Sequence, residues 1–171
     1  SGTFSGTIDG LGGLIKVGGS TLTLAGTNSY TGATNINAGT LSLQSDLASL
    51  AITIANGAFL KTSDAEQLKN SAVVDTSGSG TFDLGGDETI GQLNGAGAVI
   101  LGANTLTLTN GGNFSGNISG TGETIVTGGT FTVSAIGGLN SNDLDIQSGS
   151  NITTTAANLI GNTTRVNNDG T

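Results

Sequence analysis

One unit recurs three times along the chain and dictates most of what the chain can fold into. Its first copy reads Ile8-Asp9-Gly10-Leu11-Gly12, then Leu14-Ile15-Lys16-Val17, then Thr21-Leu22-Thr23-Leu24. The second reads Leu93-Asn94-Gly95-Ala96-Gly97, then Val99-Ile100-Leu101, then Thr105-Leu106-Thr107-Leu108. The third reads Ile118-Ser119-Gly120-Thr121-Gly122, then Thr124-Ile125-Val126, then Thr130-Phe131-Thr132-Val133. Each copy is a Gly-x-Gly turn, a short apolar run, a second Gly-containing turn, and a strand in which Thr alternates with an apolar residue. The second and third copies are offset by roughly 25 residues, within the range of one repeat of a solenoid.

Between the copies lie further short runs of period two, such as Thr40-Leu41-Ser42-Leu43, Ala51-Ile52-Thr53-Ile54 and Thr81-Phe82-Asp83-Leu84, and Asp143-Leu144-Asp145-Ile146 follows them. Period two places alternate side chains on opposite faces. Leu22/Leu24, Leu41/Leu43, Ile52/Ile54, Phe82/Leu84, Leu106/Leu108, Phe131/Val133 and Leu144/Ile146 are therefore expected to share a core, with Thr and Ser outward. An antiparallel sandwich and a parallel β-helix both use this pattern. The repeat favours the β-helix, because stacked copies would place like residues over like. Coils of roughly 20 residues would give about eight turns and a rod about 40 Å long. The whole chain, 1–171, reads as one solenoid segment, with repeat blocks at about 4–44 and 82–133 and a divergent tail from 135 to 171. One segment breaks the pattern. Ser63-Asp64-Ala65-Glu66-Gln67-Leu68-Lys69 has a capping-box spacing and predicts a short helical excursion near residues 63–69, with a weaker excursion at Ser45 to Ser49.

Composition narrows the chemistry. The chain has no His and no Cys, so imidazole or thiolate metal sites and Ser-His or Cys-His catalysis cannot be built from it. Twelve acids against four bases give a net charge of -8, which argues against a nucleic-acid partner. Pro is absent too, so no backbone donor is missing from a ladder. Carboxylates remain. Asp143 and Asp145 would lie on one outward strand face, and Asp87 and Glu88 adjoin a turn with Asp83 nearby. Paired acids hydrolyse glycosides, but the chain offers no Trp platform, only Tyr30, and only one Arg, Arg165. Solvated acids on a strand face are the simpler reading. Gly78-Ser79-Gly80-Thr81-Phe82-Asp83 has a faint likeness to a calcium-binding nonapeptide but does not recur in tandem. Tyr30, between Asn28 and Gly32, reads as an aromatic packed in a turn. No catalytic, cofactor or metal residue is assigned.

Residues 4–44 carry a resemblance. Gly10-Leu11-Gly12-Gly13-Leu14-Ile15-Lys16-Val17, the run from Ser20 through Tyr30 to Thr34, and Asn35-Ile36-Asn37-Ala38-Gly39-Thr40-Leu41 closely resemble the autotransporter-associated β-strand repeat, also called the passenger-associated transport repeat. Residues 82–133 resemble a second, more divergent block, best at Ile90-Gly91-Gln92-Leu93-Asn94-Gly95-Ala96-Gly97. The later copies lack the Lys seen at Lys16. The resemblance implies a passenger domain of a type V secretion autotransporter. Such a passenger is a right-handed parallel β-helix, displayed on or released from the bacterial surface, with an outer-membrane β-barrel elsewhere in the same polypeptide. It implies a structural or adhesive role rather than an enzymatic one. The alternatives are a binding module for a host glycan or protein or for a second copy, and, behind these, a polysaccharide-active enzyme.

Overall fold

A computed structural model describes residues 1–134, 139–140, 143–155 and 165–168. Short strands wind through three walls of parallel sheet, and no helix occurs among the described residues. The first wall has eight strands, from Gly2–Phe4 through Thr21–Leu24 and Thr40–Leu43 to Leu139–Asn140. The third wall also has eight, from Leu14–Lys16 to Ser150–Thr154. The second wall has five strands, Glu88–Ile90, Leu106–Leu108, Glu123–Val126, Asp143–Ile146 and Arg165–Asn168. In the earlier turns this wall is a column of single bridges, Ile8 to Asn28 to Leu47. Leu22 lies opposite Leu41 and Leu41 opposite Leu60, so one turn takes about 20 residues. Parts of the tail, 135–138, 141–142, 156–164 and 169–171, lie outside the described residues. The described parts continue the stack, Asp143–Ile146 beneath Glu123–Val126 and Ser150–Thr154 beneath Gly129–Val133.

The core follows from the alternation. Of the residues expected inside, all are buried except Leu22, which is half-buried near the first turn. Phe82, Phe114, Phe131 and Tyr30 are the largest fully buried side chains. Each inward Leu, Ile or Phe stabilises the coil by about 1.5–3 kcal/mol through water removal. Polar main-chain groups bond to the turns on either side, as in Ala98 N to Gly80 O and Asn117 N to Gly97 O, both near 3 Å. Walls this close leave little room at the corners. A side chain at Gly97 would meet the Gly80 carbonyl, so glycine is required there by close approach.

Two expectations fail. The first concerns the three copies of the unit, which belong to one stack but do not lie over one another. In the first copy Ile8, Leu14–Lys16 and Thr21–Leu24 occupy the second, third and first walls. In the second copy Leu93, Ala98–Gly102 and Leu106–Leu108 occupy the third, first and second. In the third copy Ile118, Glu123–Val126 and Gly129–Val133 occupy the first, second and third. Ile118 pairs with Val99, not with Leu93. The reason is arithmetic: the first and second copies stand about 85 residues apart and the second and third about 25, and on a coil of about 20 either spacing exceeds whole turns by about five residues, enough to advance one wall.

The second failure is the helical excursion. Residues 63–69 form turns, with Glu66 at φ 54. Their main-chain groups are committed to neighbouring coils: Leu47 N donates to Gln67 O and Glu66 N to Asp87 O. No i to i−4 ladder is possible once those groups are used. The residue that reaches back is Gln67 rather than Glu66, its Oε1 accepting from Ser63 N at 2.7 Å and Asp64 N at 3.3 Å. Ser45 to Ser49 is likewise part of the coil, since Leu47 bridges to Asn28 and is fully buried.

Candidate functional site

The outward faces of the walls are the surfaces on which a partner could act. On the third wall, successive turns present Asn35, Thr53, Asp75, Asn94, Asn113 and Thr132 in one column. The column follows from the pleat: Ile36, Ile54, Phe114 and Val133 turn inward, so their neighbours turn out. Asn113 N donates to Asn94 Oδ1 at 2.8 Å, which ties adjacent rungs together. The first wall presents Thr23, Ser42, Lys61, Asp83, Ile100 and Ser119. There Lys61 and Asp83 form an ion pair at 2.7 Å, half exposed and worth little to stability.

The carboxylates singled out from the sequence separate into different roles. Asp143 and Asp145 do share the outward face of the second wall, while Leu144 and Ile146 are buried. Asp143 stands opposite Glu123 and Asp145 opposite Ile125. Desolvation, reinforced by the charges of Asp143 and Asp145, raises the Glu123 carboxyl above its ordinary range. Asp87 and Glu88 do not act as a pair. Asp87 is exposed and its Oδ1 accepts from Thr105 N at 2.8 Å. Glu88 points into the core at 1% exposure. Asp83 lies on the first wall, where Lys61 of the same wall holds it. No group of three or more His, Cys, Asp or Glu is placed to hold a metal ion among the described residues.

The segment Gly78–Asp83 is a turn at 78–79 running into the first-wall strand Thr81–Asp83, and the turn is fastened to the preceding coil. Asn56 Oδ1 accepts from Ser79 N at 3.0 Å and from the Ser79 hydroxyl. Tyr30 is packed in the core, as its sequence position predicts: it is 1% exposed and its hydroxyl bonds Thr34 Oγ1 at 2.6 Å. Burial pushes the Tyr30 phenol up, and the bond to Thr34 opposes this.

Three polar groups are buried that were not expected in the core: Lys16 and Asn28, given no site role from the sequence, and Glu88, expected beside a turn. Lys16 turns inward, and its ammonium donates to Val17 O, Gly18 O and Ala38 O at 3.0, 2.7 and 2.9 Å. Asn28 Nδ2 donates to Gly26 O at 2.8 Å and Ser45 Oγ at 3.0 Å. Glu88 accepts from Gln67 N at 3.1 Å and Leu68 N at 3.2 Å. For Lys16 and Glu88 the signal was parity: Lys16 falls in step with Leu14, and Glu88 in step with Ile90.

Residues 14–43 match the passenger-associated-transport-repeat family. Among curated proteins the chain is similar to "Adhesin BmaC autotransporter" of Brucella suis biovar 1 (strain 1330), 40% identical over 135 residues, which is 74% of this chain. The match spans only 3% of that protein's length. No solved structure matches. The matched repeat forms the Leu14–Lys16, Thr21–Leu24, Thr34–Ile36 and Thr40–Leu43 strands, which alternate between the third and first walls, with the Asn28 bridge of the second wall between them. Residues 14–43 are therefore similar to the passenger-associated-transport-repeat family and lie within the β-solenoid, in a chain similar in sequence to a short part of that autotransporter.

Proposed function

We propose that the chain is a structural and adhesive segment of an autotransporter passenger, a stiff stalk carried outside the cell and not an enzyme. The observation that carries this reading is the parallel stack running through the described residues, with a transport repeat at residues 14–43. The likeness to a protein named as an autotransporter adhesin supports it. On this reading an outer-membrane β-barrel follows elsewhere in the full polypeptide, and the passenger is displayed at the surface. Winding supplies the physical rationale. Each new coil buries its apolar side chains against the one before, so folding outside the cell favours completed export. Deleting residues 90–133 from the full-length protein removes two of the three copies of the unit. Surface staining per total protein should fall. Staining equal to the undeleted protein would refute a role in export.

A second reading is lateral binding, and the Asn and Thr column of the third wall favours it. Its main-chain groups are spent within the wall, so side-chain amides, hydroxyls and the Asp75 carboxylate are what it offers, as suits a glycan or a second solenoid. Sedimentation of the chain across a concentration series separates the two. A single monomer species at the highest concentration argues against self-association.

A further inference from the structure

Asparagine followed by glycine is the dipeptide in which a main-chain nitrogen most readily attacks a side-chain amide, because glycine has no Cβ to shield its N–H. The chain contains three such pairs, Asn56-Gly57, Asn94-Gly95 and Asn110-Gly111. Attack closes a five-membered ring, so the main chain between the two residues must be free to turn. The solenoid denies that freedom to two of them. Asn94 and Gly95 end a third-wall strand, in register with Asp75 and Thr76 on one side, and Gly95 pairs with Phe114 on the other. Asn94 Oδ1 is taken by Asn113 N at 2.8 Å and Gly95 O by Ser115 N at 2.7 Å. At the next pair, Asn110 N donates to Gly91 O at 2.8 Å and Leu93 N to Gly111 O at 3.1 Å. Gly111 is buried, with the Thr130 main chain packed against it.

Asn56-Gly57 is placed differently. It forms the tip of a β-turn between the third-wall strand Ala51–Ile54 and the first-wall strand Phe59–Lys61, closed by Ala58 N donating to Ala55 O at 2.9 Å. Both residues are exposed, and Gly57 has φ 73. Gly57 N bonds nothing among the described residues, and a Cβ on Gly57 would meet nothing within 4 Å. The Asn56 amide is held by one atom. Its Oδ1 accepts from Ser79 N at 3.0 Å and from the Ser79 hydroxyl. Those donors sit on the oxygen that gains negative charge when the amide carbon is attacked, the arrangement that favours such an intermediate. The nitrogen that must leave, Nδ2, has no partner among the described residues.

We propose that Asn56-Gly57 is a self-modification site, where the folded chain converts Asn56 to aspartate and isoaspartate while the other two pairs are protected by the stack. This goes beyond the stalk reading and does not depend on it. Gly57 N gives up its proton to solvent and bonds Asn56 Cγ, the Cγ–Nδ2 bond breaks, and ammonia leaves. Water then opens the cyclic imide at either carbonyl. Opening at one gives aspartate, and opening at the other gives isoaspartate, whose main chain is longer by one methylene. Water is the only co-reactant, and nothing is oxidised or reduced. Either product adds a negative charge at this corner. An aspartate keeps an acceptor for Ser79, now charged and therefore stronger. The isoaspartate lengthens the turn between Ala55 and Ala58 and draws the acceptor away from Ser79.

Peptide mass spectrometry after incubating the folded chain in mildly alkaline buffer reads all three pairs at once, since each conversion replaces an amide NH2 by OH. Asn56 should convert about tenfold faster than Asn94 or Asn110, or more. Isoaspartate should be present at position 56, because direct hydrolysis of the amide gives aspartate alone. The same incubation in concentrated urea removes the stack, and the three rates should then converge. Gly57→Ala shields the attacking nitrogen and should slow conversion at Asn56 in both folded and unfolded chains. Asn94 or Asn110 keeping pace with Asn56 in the folded chain overturns the proposal. So does a lead for Asn56 that persists undiminished in urea, which would place its cause in the local sequence rather than in the fold. Aspartate without isoaspartate would overturn the ring.

Discussion

Replacing Gly91 by alanine asks whether the spacing between coils is enforced at the corners. Gly91 links the second-wall strand Glu88–Ile90 to the third-wall strand Gln92–Gly95. A Cβ there would stand 2.8 Å from Ser71 O, 2.9 Å from Ser71 C and 3.2 Å from Ala72 O, all main-chain atoms. The closest comfortable carbon–oxygen approach is about 3.3 Å, so the coils must part by roughly half an ångström. Gly91 N donates to Ala72 O at 2.8 Å, and that bond would stretch toward the edge of useful range. Overpacking costs about 1–3 kcal/mol and a weakened bond about 1 kcal/mol, so Gly91→Ala should destabilise by about 2–4 kcal/mol. With a urea slope of about 2 kcal/mol/M, the midpoint should drop by about 1–2 M. Gly12→Ala is the matched control, since a Cβ there meets nothing within 4 Å. It should leave the midpoint unchanged or raise it slightly through the unfolded chain. Equal midpoints for the two variants would refute the reasoning.

Two more outcomes can be measured the same way. Tyr30→Phe and Thr34→Val should each cost about 1–3 kcal/mol, because each strands a buried hydroxyl. The double variant should cost clearly less than their sum, and strict additivity would show that the 2.6 Å bond carries no coupling. Lys16→Met keeps the length of the side chain but removes three donors from Val17, Gly18 and Ala38. It should lower the urea midpoint by the equivalent of about 2–3 kcal/mol. A rise would mean that ammonium desolvation outweighs the three bonds.

The solenoid was legible in the sequence because period two is a local property. Leu41/Leu43, Ile52/Ile54 and Leu106/Leu108 declare their inward face from their own neighbours alone. Strands with fewer apolar residues were not legible. Thr34–Ile36 has one inward Ile and an inward Thr, and Gly112–Phe114 one Phe after a glycine, so neither shows an alternation. The wall on which each strand lies is set by the count of residues in every earlier coil. A repeated motif conceals that count because it looks the same at each corner. Residues 63–69 misled for a different reason. Helix formers and a capping spacing are intrinsic preferences, and main-chain bonds to Asp87 and Leu47 from the adjoining coils override them. Glu88 could be flagged from its parity with Ile90, but its partners, Gln67 N and Leu68 N, become visible only once two coils are superposed.

The drift of the repeated unit from wall to wall bears on how the chain avoids tangling with itself. Three look-alike segments invite exchange, one copy settling where another belongs, within a molecule or between neighbours emerging side by side. Such a swap would carry a segment to a bend of different length, since the unit that ends on the first wall at Leu24 ends on the second at Leu108 and on the third at Val133. The linker would then be too short or too long to reach its next strand. Error is penalised by geometry at the following corner, so similar segments can be reused without becoming interchangeable.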